Sequence, residues 1–138
     1  FEIKDNFFRF WFRYIYCYAP LIEIQNMQAL EKIMTDDYTT FSVIALERWF
    51  RQKMMESCEY RQIGGWWKSG GRNAKGNVDD FEIDIVAETL DGEVEAYEVK
   101  RNPLRYNPHR LAEKVAEMQR HLFKGKNVRQ IGLSLNDM

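Results

Sequence analysis

The chain has 138 residues, of which 45% are hydrophobic and 14% aromatic, and its formal net charge is −1. This length predicts one ordinary domain with an appended segment, and the apolar fraction is sufficient for a hydrophobic core. A net charge of −1 excludes a chain that is basic throughout. Its acidic and basic residues are instead concentrated in different segments. Residues 81–99 carry seven acids and no lysine or arginine, whereas residues 100–135 carry nine bases and two acids. This arrangement fits metal-assisted chemistry on a polyanion, and it equally fits internal charge pairing.

The first 36 residues are predicted to be a helical segment that follows an upstream part of the protein. Asp5 and Asn6 can cap a helix over residues 7–18, which Pro20 ends. This helix is apolar nearly all round, so we expect it to be buried against the upstream part or against a second copy of the chain. A short helical stretch is predicted over residues 27–34.

Two cysteines, Cys17 and Cys58, form no metal or redox motif, which is typical of a reducing, cytoplasmic setting. The sequence shows no signal peptide. The apolar run over residues 7–24 is interrupted by Arg9, Arg13 and Glu23, so a membrane span is not predicted.

A longer helix is predicted over residues 41–57, starting at Thr39 and Thr40. Glu47 lies among its apolar residues, where it either faces solvent or points toward the sheet as a metal or water ligand. A strand follows over residues 60–67, and a loop rich in glycine and asparagine over residues 68–80. Three bases of this loop either contact phosphates or belong to an exposed hairpin connection: Lys68, Arg72 and Lys75.

Residues 81–101 are predicted to form two strands joined by a tight turn, because apolar and polar residues alternate on both sides of Asp91 and Gly92. A two-residue turn would place Asp84 opposite Val99. A three-residue turn with Gly92 in the left-handed conformation places Asp84 opposite Glu98, and we predict this register. The apolar side of the first strand is expected to hold Phe81, Ile83, Ile85 and Ala87. The other side gathers Glu82, Asp84, Glu98 and Lys100.

Directly opposed carboxylates on neighbouring strands have Cβ atoms about 5 Å apart. Two like charges at this distance require a proton or a cation between them, and Mg²⁺ prefers carboxylate oxygens. Lys100 can neutralise part of the charge and can contact a phosphate or a water molecule. Ordinary cross-strand pairs on a solvated face are the alternative.

Asn107 and Pro108 open a helix that is predicted to run to residue 123 and to end before Gly125. Residues 128–135 are predicted to form a last strand. The order helix, strand, strand, strand, helix, strand indicates an α/β fold with a mixed sheet. Besides the three loop bases, four basic residues are assigned to nucleic-acid binding: Arg101, Arg105, Arg110 and Lys114. Of these, Arg110 and Lys114 are predicted to face outward from the helix.

Asp84, thirteen intervening residues, and then Glu98-Val99-Lys100, within this element order, resemble the PD-(D/E)XK nuclease superfamily. More narrowly, the segments IGGWW, FEIDIVA and YEVK, after an aromatic helix, resemble the C-terminal domain of unknown function in a family of archaeal and bacterial ATPases. In that family a P-loop ATPase and a winged helix precede this domain. The resemblance implies a restriction-endonuclease-like αβββαβ core over residues 37–138, after a helical linker over residues 1–36.

The resemblance further implies a Mg²⁺- or Mn²⁺-dependent phosphodiesterase that acts on DNA. Asp84 and Glu98 would ligate the metal with Glu82 as an extra ligand, and Glu47 would be an acidic residue near it. Lys100 would orient or activate the attacking water and stabilise charge on the phosphate. The chain lacks a P-loop motif, so no nucleotide is expected to bind to it.

Besides DNA, the implied partners are the ATPase and winged-helix domains of the same protein and, through the aromatic helix, a second copy of the chain. The alternative function is a catalytically inactive nuclease-fold module. Such a module would bind nucleic acid or a partner and would regulate or oligomerise the ATPase.

Overall fold

The structure is a computed structural model that describes residues 3–72 and 78–138. The chain divides into two compact units, Phe1–Ala45 and Leu46–Met138. The helices are α1 (Asn6–Phe10), a π-helical segment (Trp11–Tyr16), α2 (Ala19–Glu23), α3 (Met27–Ser57) and α4 (Pro108–Gln119). The strands are β1 (Tyr60–Arg72), β2 (Val78–Thr89), β3 (Val94–Val99) and β4 (Val128–Leu133). No helix of the described residues is long and apolar enough to cross a bilayer.

The first unit is helical, as predicted. The Asp5 side chain accepts hydrogen bonds from the backbone N–H groups of Phe7 and Phe8 and so caps α1. The predicted single helix is divided, because the backbone passes into π-helical turns and Pro20 then lies in the first turn of α2. Tyr14 is buried, and its hydroxyl donates a 2.6 Å hydrogen bond to Asp37.

Aromatic side chains of α1 and the π-helical segment remain partly open to solvent in this chain. Those with two fifths or more of their surface exposed are Phe7, Phe8, Trp11, Phe12 and Tyr16. Their burial by an upstream part or by a second copy stays a prediction.

The helix α3 is one continuous helix where two helices were predicted. Thr39 and Thr40 lie inside it and do not start a new helix. Each threonine in a helix interior costs only a few tenths of a kcal/mol relative to better helix formers, whereas a break would require a second nucleation. The predicted boundary at residues 36 and 37 stays a prediction; the contact-based division falls between Ala45 and Leu46, within α3.

The second unit has a four-stranded mixed sheet in the order β1-β2-β3-β4, which confirms the predicted fold class. The pairs β1/β2 and β2/β3 are antiparallel, and β3/β4 is parallel, with α4 in the crossover. The predicted register of the central hairpin is confirmed over its paired part, since Ile85 pairs with Tyr97 and Glu88 with Val94. The predicted pairing of Ile83 with Val99 is not seen, because these two residues lie in different core clusters. Gly92 has φ of +86° and closes the three-residue turn.

Both faces of the sheet are buried, and the prediction of one apolar and one charged face is therefore wrong. The cluster on the α4 side contains Ile83, Val86, Val94, Ala96, Leu111, Val115, Met118 and Val128. The cluster on the side of the last turns of α3 contains Leu46, Phe50, Ile85, Ala87, Tyr97 and Val99. Ile83 and Ile85 belong to different clusters because β2 has one more residue than β1 between the pairs Gly64–Val86 and Trp66–Ile83. This bulge interrupts the alternation of side chains at Asp84.

The predicted loop over residues 68–80 is largely strand. Pairing of β1 with β2 continues to Arg72 and Val78, and backbone pairing thus overrides the weak strand preference of glycine. Residues 73–77, including Lys75, lie outside the described residues. The helix α4 is capped by Asn107 as predicted but ends at Gln119, and Phe123 in the following turn has φ of +55°.

Candidate active site

Asp84 and Glu98 occupy neighbouring strands at the end of the hairpin away from its turn. Beyond the pair Ile85–Tyr97, the next positions of β2 and β3 are Asp84 and Glu98. The bulge at Asp84 lets its carboxylate accept a 2.7 Å hydrogen bond from the backbone N–H of Val99. The acidic group of β2 is therefore fixed beside the peptide that follows Glu98.

Glu98 is 4% exposed, and one of its carboxylate oxygens is paired with the ammonium groups of two lysines. Its Oε1 lies 3.0 Å from Nζ of Lys100 and 3.0 Å from Nζ of Lys114. Its Oε2 is buried and has no hydrogen-bond donor among the described residues. Burial acts to raise the pKa of Glu98, but the hydrogen bonds from the two lysines outweigh it and lower the pKa, so the group is ionised at neutral pH.

Burial raises the pKa of Asp84, and the negative charge of Glu98 adds to this effect. The N–H of Val99 and the ammonium groups of Lys100 and Lys114 act in the opposite direction. The two carboxyl groups thus affect each other's ionisation and share two lysines. Whether they bind a cation stays a prediction.

Glu47 and Arg51 approach this group from α3. Arg51 Nη2 lies 2.8 Å from Oε1 of Glu47 and also donates to the backbone carbonyl of Asp84. Gly65 of β1 makes room for this arginine, since a Cβ atom there would lie 2.9 Å from Arg51 Nη2. Burial raises the pKa of Glu47, and the charges of Asp84 and Glu82 raise it further. Glu47 is therefore within electrostatic reach of the predicted metal ligands.

Glu82 has an exposed side chain. Among the side chains that the structure describes, which leave out residues 71–80, there is no group of three or more His, Cys, Asp or Glu placed to hold a metal ion. Mg²⁺ commonly retains several waters and uses only one or two protein carboxylates together with substrate phosphates. Two carboxylates can serve such a site, and metal binding by Asp84, Glu98 and Glu82 stays a prediction.

Tyr106 was not predicted to belong to the site. Gly132 of β4 pairs with Glu98, and a Cβ atom on it would lie 2.6 Å from the Tyr106 ring. Burial raises the pKa of Tyr106, and the charge of Glu98 contributes. The ring thus covers the strand next to Glu98, and only glycine at position 132 leaves space for it.

Lys114 was predicted to face outward, and this prediction is wrong. It lies one helical turn from Leu111 and from Met118, which are both fully buried. The helical spacing could have identified its inward position, because its neighbours at i−3 and i+4 are core residues. Arg51, like Tyr106, was missed altogether, and the sequence offers no comparable signal for it.

The remaining residues assigned to nucleic acid do not form one described patch. Lys68 pairs with Glu117, and Arg110 pairs with Glu113 at 3.0 Å while its guanidinium lies 5.1 Å from the Phe81 ring centroid. Arg101 and Arg105 are exposed, Lys75 lies outside the described residues, and only the backbone of Arg72 is described. Their binding to DNA stays a prediction.

Comparison with known proteins gives one family. The model of a family described as archaeal and bacterial proteins of unknown function, DUF234, matches residues 11–115, which is most of the chain. No curated protein and no solved structure matches the chain.

Proposed function

We propose that this chain, which belongs to the DUF234 family of archaeal and bacterial proteins, is a Mg²⁺- or Mn²⁺-dependent phosphodiesterase domain that acts on DNA. The observation that carries the proposal is the buried Oε2 of Glu98, which has no hydrogen-bond donor among the described residues, in a side chain that interacts electrostatically with Asp84. An unpaired buried carboxylate oxygen is unfavourable, and a cation is the partner that such an oxygen lacks. The residues present therefore fit a hard divalent ion.

Asp84 and Glu98 would hold the ion. When bound, it would supply Lewis-acid polarisation of the phosphate and a lower pKa for an attacking water. Lys100, whose side chain is 34% exposed, can leave Glu98 and place its ammonium against the phosphate. The N–H of Val99 keeps Asp84 oriented, and Arg51 ties the backbone of Asp84 to α3.

The charge balance supports a polyanionic substrate. Asp84 and Glu98 carry two negative charges, and Lys100 and Lys114 carry two positive charges, so this group is neutral as the structure describes it. A divalent cation would make it positive by two, which attracts a phosphodiester.

The test is cleavage of supercoiled and branched DNA by the purified chain with Mg²⁺ or Mn²⁺. We expect cutting that Glu98→Gln abolishes and that excess EDTA stops. The matched control is Glu95→Gln on the same strand, because Glu95 is equally buried but pairs with Tyr97 and Arg129 at the other end of β3. Equal cutting by the wild type and Glu98→Gln would identify a contaminating nuclease and refute the proposal.

A second candidate, an inactive nuclease-fold module that binds nucleic acid or a partner, is favoured by two observations. One is that two lysines already neutralise the carboxylates, and the other is the exposed aromatic surface over residues 7–16. Its signature is salt-dependent DNA binding without cleavage, weakened by Arg110→Ala, or self-association of the chain at micromolar concentration. Attachment to a winged helix and an ATPase, and a cytoplasmic location, are further parts of the proposal that rest on the sequence.

A further inference from the structure

Glu98 receives an ammonium that the pattern of Glu98, Val99 and Lys100 does not account for. Lys114 comes from α4, fifteen positions after β3 ends. Its Nζ is as close to Oε1 of Glu98 as that of Lys100, at 3.0 Å. Both ammonium groups lie on the same carboxylate oxygen. If Glu98 binds a further cation, one of the two lysines has to move away, and the structure indicates which one.

The two lysines are held differently. The Lys114 side chain is 12% exposed, whereas that of Lys100 is 34% exposed. Lys114 is also fixed by its helix, since Leu111, Val115 and Met118 on the same face are buried in the core. Lys100 follows the last residue of β3 and has water within reach. Moving Lys114 out would therefore disrupt more packing of the side-chain stem than moving Lys100.

We propose that Lys114 is a positioning residue of the active site: it stays on Oε1 of Glu98 and fixes that carboxylate for cation binding, while Lys100 is the ammonium that leaves for the phosphate. This inference rests on the proposed function.

A purely electrostatic role for Lys114 predicts the opposite result. If Lys114 were only a competing counter-ion, its removal would strengthen cation binding, because a positive charge near the site would be lost. If it orients Glu98, its removal weakens binding. Loss of a group that orients a metal ligand typically costs 10–100-fold in metal affinity. The sign of the change therefore separates the two roles.

The experiment is calorimetric titration of the full chain with Mn²⁺ alone, comparing wild type with Lys114→Met, Lys114→Arg and Lys126→Met. We expect Lys114→Met to bind Mn²⁺ about tenfold more weakly and Lys114→Arg to recover part of the loss. Lys126→Met, which removes the ammonium of a half-exposed lysine that pairs with Glu88 at 3.0 Å, is expected to bind as the wild type does. Circular dichroism confirms that each variant is folded, and if Lys114→Met is not, Lys114→Arg and Lys114→Gln carry the comparison.

The outcomes differ for the two proposals. If the wild type binds Mn²⁺ and Lys114→Met binds it equally or more tightly, the inference is overturned and the phosphodiesterase proposal still stands. Absence of Mn²⁺ binding by the wild type overturns both. Cleavage provides a second readout, in which Lys114→Met is expected to require more Mn²⁺ for half-maximal cutting while its affinity for DNA is unchanged.

Discussion

Replacing Glu98 by alanine in metal-free buffer should leave two ammonium groups without their shared carboxylate. Lys100 is one-third exposed and can turn to water, but Lys114 is only 12% exposed and belongs to a helix packed on the core. Breaking a buried ion pair by removing one partner costs about 3–5 kcal/mol, most of it from the remaining charge. Because one of the two lysines escapes to solvent, we expect a loss of about 3 kcal/mol in the free energy of unfolding.

A double-mutant cycle isolates the part of this loss that belongs to the pair. Lys114→Met alone leaves Glu98 with Lys100, so it should cost less than Glu98→Ala. The double variant removes both buried charges, and its loss should fall short of the sum of the two single losses by about 1–3 kcal/mol.

The assay is urea unfolding in EDTA, followed by tryptophan fluorescence. The matched control is the cycle on Arg110 and Glu113, a pair on the same helix at the same 3.0 Å distance in which the carboxylate is half exposed. Its coupling should be about 0.5 kcal/mol or less. If the losses at Glu98 and Lys114 were additive, the coupling energy of this pair would be no larger than that of the control. That result would refute the claim that burial makes the Glu98 pair unusual.

Three further predictions concern the scaffold. Gly132→Ala should lower stability by about 1–3 kcal/mol in urea unfolding, because its Cβ would lie 2.6 Å from the Tyr106 ring; an unchanged midpoint would mean that the ring moves freely. Leu111→Ala should cost about 2–5 kcal/mol, since Leu111 is fully buried, and a smaller loss would mean that the core closes around the cavity. Asp37→Asn should lower the thermal midpoint at pH 7, and this effect should shrink as pH falls from 3.8 and disappear below 2, as followed by circular dichroism. Hydrogen bonds from Arg13 and then Tyr14 lower the pKa of Asp37 from 3.8 to about 2, so its contribution is present above pH 3.8 and is lost as pH falls through 2. An effect of equal size at pH 7 and at pH 2 would contradict this assignment.

The register of the central hairpin could be predicted because its determinants are local. Gly92 is the residue that tolerates φ of +86°, and the three-residue turn then fixes the pairs from Glu88–Val94 to Ile85–Tyr97. Slippage by one residue would have placed Asp84 opposite Val99. The sequence therefore indicated that Asp84 and Glu98 are neighbours without knowledge of the other strands.

The surroundings of that pair could not be predicted in the same way, because they depend on distant elements. The bulge at Asp84 is set by the pairing of β2 with β1, and the hydrogen bond from Val99 follows from it. The charged side of the hairpin is buried because α4 packs on it. Arg51 donates to the carbonyl of Asp84 beside Gly65 of β1, where a Cβ atom would lie 2.9 Å from its Nη2. Each of these contacts joins segments far apart in the chain.

Stability alone does not account for the charges around Glu98. Buried ion pairs can often be replaced by apolar residues of similar volume without loss, and apolar side chains at positions 98 and 114 would extend the cluster of Leu111 and Met118. Glu95 on the same strand shows how a buried carboxylate is satisfied within this fold: one oxygen accepts from Tyr97 and the other pairs with Arg129. Glu98 differs in keeping one buried oxygen without a donor among the described residues while two lysines share the other. A group placed at a cost in stability and left one partner short is better explained by binding than by folding, which favours a cation as the missing partner.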